Sequence, residues 1–99
     1  MKVDKQYLRK LLEVFENSKK LAITQDDFKK AGFNIDEEFT FHMLWLDDKG
    51  FITRQDSGPG ISHYKTSTWA VIPLRYTASG AEYLEELRKN SSENDKNEH

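Results

Sequence analysis

The sequence predicts an α+β fold, a winged helix-turn-helix with a three-helix core, a β-hairpin wing and a C-terminal helix. Three observations predict it. Two short helical patterns are separated by a sharp stop at Gly32, as a helix-turn-helix needs. A third stop, Gly50, runs straight into the strand-like Phe51-Ile52-Thr53. A polar turn, "QDSGPG", then precedes the β-branched and aromatic run "YKTSTWAVIPL", after which Thr77 opens a last helix.

The elements follow in order. Asp4 caps a first helix in which Leu8, Leu11, Leu12 and Phe15 keep the i, i+3, i+4, i+7 spacing of one buried face. Asn17 and Ser18 end it, and Leu21-Ala22-Ile23 reads as a short extended segment. Thr24 starts a second helix through Lys30, with Asp26 and Asp27 in the first turn, where the helix dipole favours them. Asn34 or Asp36 caps a third helix, along which Phe39, His42, Met43 and Leu46 form the inner stripe and Trp45 its edge. Pro73 puts the returning strand at an edge or ends it. Thr77 caps a fourth helix with Ala81, Leu84 and Leu87 inward. Residues 1–89 thus form one winged-helix domain, and 90–99, "NSSENDKNEH", read as a disordered polar tail without an apolar residue.

Composition narrows the function classes. No run of ~18 apolar residues exists, so a transmembrane helix is not expected, and no apolar stretch near the start suggests a secretory signal. The absence of cysteine excludes disulfides and cysteine-type zinc sites and makes a cytoplasmic location the simplest reading. A net charge of −2 is unlike a protein that relies on phosphate neutralisation, although distribution matters more than the sum.

The distribution is unusual on the third helix. With the inner stripe fixed, Glu37, Thr40, Phe41, Leu44, Asp47 and Asp48 face outward. Base reading needs donors matched to G and A edges, whereas carboxylates suit only the cytosine amino group and repel phosphates. Apolar Phe41 and Leu44 flanked by acids read instead as a protein contact with an apolar centre and polar rim. The plainer reading is that the wing or the C-terminal helix covers both. The wing has the opposite sign: Arg54, Lys65 and Arg75 stand against Asp56, His63 adds charge at lower pH, and Tyr64 and Trp69 interleave. Such a strip suits a DNA backbone, with Lys19, Lys20, Lys29 and Lys30 extending it, or is an ordinary solvated hairpin.

Nothing points to catalysis. His42 on the inner stripe reads as a hydrogen-bonded core residue, and with His63 and His99 far from it in sequence there is no metal-ligand spacing. "GPG" lacks the Lys-Ser/Thr of a phosphate loop, and nothing orients His63 toward Ser57 or Ser62. No cofactor, metal, small-molecule substrate or membrane partner is expected.

The block "EEFTFHMLWLDDKGFI", the polar wing after it and "LRYTASGAEYLEEL" resemble the bacterial and phage-borne winged-helix proteins classed as the domain of unknown function 2513 family. The matching features are Glu37-Glu38, Thr40-Phe41-His42, Gly50-Phe51-Ile52, Leu74-Arg75-Tyr76-Thr77 and Gly80. The resemblance implies a winged-helix fold and a phage or prophage setting. It carries over no site residue, because that family has no established activity. Leu44 stands where a groove-reading helix of such a protein would carry a polar or basic residue. The expectation is a non-enzymatic module that contacts a protein through its third helix. Its partner would be a second copy, a host factor, or a nucleic-acid-handling defence protein that it inhibits. The alternative is a DNA-binding transcriptional regulator using Arg54, His63, Lys65 and Arg75.

Overall fold

Asp4 begins the first helix by giving its carboxylate to two orphan amides. The computed structural model describes residues 2–56, 58–61 and 72–97, the stretch 90–97 by its backbone. In it, Asp4 accepts from the N–H groups of Gln6 (2.9 Å) and Tyr7 (3.4 Å) at the head of α1 (Lys5–Asn17). Leu8, Leu11, Leu12 and Phe15 are all buried, as their spacing requires. The extended segment expected at Leu21–Ile23 shrinks to one residue: Ile23 exchanges two backbone hydrogen bonds with Leu74, each 2.8 Å.

Thr24 caps α2 (Gln25–Lys30), where the Thr24 N–H donates to the Asp27 carboxylate at 3.0 Å. That bond is the main cause holding the Asp27 carboxyl below its ordinary range, with Lys20 adding to it. Phe28 is fully buried, its ring edge-on to Phe15 and Phe39. Gly32 ends the helix at φ +100°, a conformation that side chains with a Cβ rarely adopt. Asp36, not Asn34, caps α3 (Glu37–Asp48), accepting from Phe39 N–H at 2.9 Å. Phe39, His42, Met43 and Leu46 are its buried face.

Strand β1 (Ile52–Arg54) pairs antiparallel with β2 (Leu74–Tyr76) in the register Ile52 with Tyr76, Thr53 with Arg75 and Arg54 with Leu74. β1 keeps the three-residue length read from Phe51-Ile52-Thr53, moved on by one residue. Pro73 stands just outside β2, where its missing N–H does no harm, while its carbonyl still accepts from Gln55 N–H at 2.9 Å. Residues 62–71, which include most of "YKTSTWAVIPL" (64–74), lie outside the described residues. The turn after β1 comes back to the body of the protein, because Ile61 is fully buried in the core.

Helix α4 (Ala78–Asn97) is set by one junction. The Thr77 hydroxyl donates to the Gly50 carbonyl (2.7 Å) and accepts from Gly80 N–H (3.0 Å), and Thr77 N–H donates to the Phe51 carbonyl (2.9 Å). Leu84 and Leu87 enter the core, whereas Ala81 is only half-buried. Arg88 then bridges to Glu13 (3.0 Å) and Glu16 (2.7 Å) of α1. The backbone stays helical to Asn97, where the sequence reads as a disordered tail from Asn90. Once a helix is nucleated, each further residue needs only to propagate it, and Ser, Glu, Asp and Lys can do so without packing.

The result is an α+β protein of four helices and an antiparallel strand pair, a hairpin compatible with a wing-like topology. No helix among the described residues is long and apolar enough to cross a membrane.

Candidate functional site: the outer face of α3

Positions 37, 41, 44 and 48 fall at i, i+4, i+7 and i+11, so Glu37, Phe41, Leu44 and Asp48 form one line along α3. The two acids at its ends are exposed. Phe41 and Leu44 between them are half-buried, as is Thr40 beside them. Leu44 packs against the core from outside, and the Phe41 ring stands edge-on to His42 at 5.2 Å. Together with Ile35, Asp36, Glu37 and Thr40 they line an open groove of about 500 Å³. Among the described residues, neither the β1–β2 hairpin nor α4 contributes to that lining.

What α4 covers on this helix is Trp45. Its ring lies 5.9 Å from Tyr83 and 6.0 Å from Phe51, which themselves stack at 4.5 Å. The segment returning from β1 meets Asp47. A Cβ on Gly60 would lie 2.5 Å from an Asp47 carboxylate oxygen, so Asp47, half-buried, belongs more to this junction than to the open groove. The sequence placed it on the same outward face as Thr40 and Leu44; the return of 58–61 to the core separates them.

The groove's apolar lining is edged by the acids Asp36 and Glu37. Asp36 caps the helix, and Glu37, with Glu38 and Asp48 elsewhere on α3, forms no ion pair among the described residues. Lys49 stands 5.5 Å over the Trp45 ring instead of reaching toward the face. His42 is structural, as its inward phase implies. Its Nε2 accepts from Asp4 N–H (2.9 Å), which places the proton on Nδ1, and that N–H donates to the Glu38 carbonyl (2.7 Å). Tyr7 stacks on the imidazole at 4.5 Å. With both nitrogens used, the ring ties the start of α1 to α3. Among the described residues no three His, Cys, Asp or Glu side chains gather as metal ligands.

The basic candidates are dispersed. The Arg54 side chain is only 12% exposed, and its Nε donates to Asp56 at 2.8 Å. Asp56 in turn lies below the ordinary carboxyl range, first because of Arg54 and then because of Gly58 N–H. Arg75 is exposed on β2, while His63 and Lys65 lie outside the described residues. Lys20 and Lys30 are drawn to Asp27 (3.0 Å) and Asp26 (3.3 Å); Lys19 and Lys29 are exposed.

One feature escaped sequence reasoning. Beside the groove, and sharing Asp36 with it, lies a second open concavity of about 350 Å³ between α1 and the connection from α2 to α3. Tyr7, Phe33 and Glu38 are in its lining. The signal for it was an aromatic residue, Phe33, in a connection that no helical stripe claims. No family model, curated protein or solved structure matches the chain.

Proposed function

We propose that this chain is a non-enzymatic winged-helix module that binds a protein partner through the outer face of α3. The wing-like hairpin after α3, the placement of Ile23 beside β2 and the Thr77–Gly50 junction support the winged-helix assignment. The resemblance in the blocks around Glu37-Glu38 and Leu74–Gly80 supports it too, together with a phage or prophage setting and a host factor or defence protein as partner.

The observation that carries the reading is the groove itself: half-exposed Phe41 and Leu44 with Glu37 at its edge, and Asp48 further along the same line of α3, neither acid in an ion pair among the described residues. An apolar centre with a charged rim is the anatomy of a protein contact. The same face is ill suited to a DNA groove. Carboxylates at its two ends would meet phosphates, and only cytosine offers them an amino donor. Of the cations in the DNA-binding alternative, Arg54 is bound to Asp56 and Arg75 is exposed with several lysines, while His63 and Lys65 lie outside the described residues. Three or so phosphate contacts give weak, salt-sensitive binding.

Titration with duplex DNA separates the two. Protein binding through α3 predicts only weak association at ~150 mM salt, without change in the amide signals of Thr40, Phe41 or Leu44. Nanomolar affinity for one duplex, with those signals shifted, overturns the proposal. Asp48→Lys and Glu37→Lys then serve as a control. They strengthen DNA binding by adding cations and weaken a partner held by charge complementarity.

A further inference from the structure

The groove and the concavity beside it meet at Asp36, and their linings differ in character. The groove is mostly apolar, floored by Phe41 and Leu44. The concavity has aromatic walls: the rings of Tyr7 and Phe33 stand edge to face with centroids 5.6 Å apart. Asp36 and Glu38 line it, against the single cation Lys10. The Tyr7 hydroxyl is pushed up to about 12, first by burial and then by the charges of Asp36 and Glu38. Two carboxylates against one ammonium leave the lining of the concavity net negative.

Aromatic faces beside carboxylates suit a guanidinium, which stacks as a plane and forks onto a carboxylate, better than they suit a compact ammonium. Resting on the proposed protein-binding reading, we infer that the partner presents an arginine beside an apolar side chain. The arginine enters the concavity over the exposed sides of Tyr7 and Phe33 toward Asp36 and Glu38, and the apolar side chain lies on Phe41 and Leu44.

A second copy of this chain is a poor source of that pair. Arg9, Arg54 and Arg88 are each held by carboxylates of their own chain, and the neighbours of Arg75 on β2 are buried Leu74 and half-buried Tyr76. Nucleic acid and anionic lipid carry the wrong charge for either concavity.

The test titrates the isotope-labelled full chain with blocked peptides that carry leucine and arginine on one helical face. Citrulline replaces arginine in one control and serine replaces leucine in another. The arginine–leucine peptide is expected to shift the amides of Tyr7, Phe33 and the stretch 35–44. Citrulline is expected to weaken binding about fivefold, the upper range of a partly exposed ion pair. In the Asp36→Asn, Glu38→Gln protein, where asparagine still caps α3, the arginine and citrulline peptides should bind alike. Equal affinity of both peptides for the unaltered protein, with shifts confined to the α3 groove, overturns the arginine inference while the protein-binding reading stands. No shift in either concavity overturns the inference and weakens that reading with it. A concentration-dependent dimer abolished by Phe41→Ser would make a second copy the occupant and overturn the inference.

Discussion

Replacing Gly80 by alanine should unlock the junction that positions α4. An added Cβ would lie 2.1 Å from the Phe51 carbonyl oxygen, so the first turn of α4 must move outward by about 1.3 Å to reach an ordinary contact. Neither partner in that clash is a flexible side chain; both are backbone. Overpacking of this kind costs about 1–3 kcal/mol. The shift also strains two hydrogen bonds, Thr77 hydroxyl to Gly50 (2.7 Å) and Thr77 N–H to Phe51 (2.9 Å). Each such bond contributes about 1 kcal/mol net. Alanine returns about 1 kcal/mol through its higher helix propensity. The balance is a loss of about 2 kcal/mol, or roughly 10 °C in Tm for a domain of this size. Urea unfolding followed by tryptophan fluorescence suits the measurement, because Trp45 packs on Phe51 and Tyr83 beside the junction. Ser79→Ala, at the exposed neighbouring position, is the control and should change little. A Gly80→Ala protein as stable as its parent would refute the reasoning, since propensity alone would then decide the site.

Further outcomes follow from the same geometry. His42→Leu leaves the Asp4 N–H without its acceptor and should cost about 1–3 kcal/mol in urea unfolding; an unchanged midpoint would remove His42 from the link between α1 and α3. Tyr7 should be slow to ionise. Its folded value of about 12 lies above the ordinary 10.0, so its contribution to stability is complete below pH 10 and lost as pH rises toward 12. An ultraviolet titration with Tyr7→Phe as reference checks this, and ionisation at the ordinary value would contradict it. Glu16 behaves in the opposite sense. Arg88 holds its carboxyl below the usual 4.5, so the pairing stabilises above that value and is lost as pH falls through the lowered one. Arg88→Ala should return Glu16 to the ordinary range in a carboxyl NMR titration and flatten the acid limb of the stability curve.

Much of the fold was legible because its helices carry local signals. The stripe from Leu8 to Phe15 and the caps Asp4, Thr24 and Thr77 each state their role within a few residues. The strands were less legible. Their extent depends on which partner backbone is in reach, and among the described residues β1 and β2 pair at three positions, starting one residue later than Phe51. Ile61 gave no warning of its burial, since one apolar residue among glycines and polar neighbours has no period. The outward phase of Phe41 and Leu44 was readable, but a phase does not say how deep a flank lies; both are half-buried on the shoulder of the helix. The second concavity is built from α1, a connection and the start of α3, three pieces that only the fold brings together.

The central claim is that α3 meets protein and not nucleic acid. A photo-reactive amino acid at Thr40, in the lining of the groove, tests it most directly when irradiated in cells that naturally carry the chain. Binding through α3 predicts an adduct with one protein that resists nuclease and disappears in the Phe41→Ser, Leu44→Ser variant. A nuclease-sensitive adduct, or a protein adduct that survives those substitutions, would contradict it.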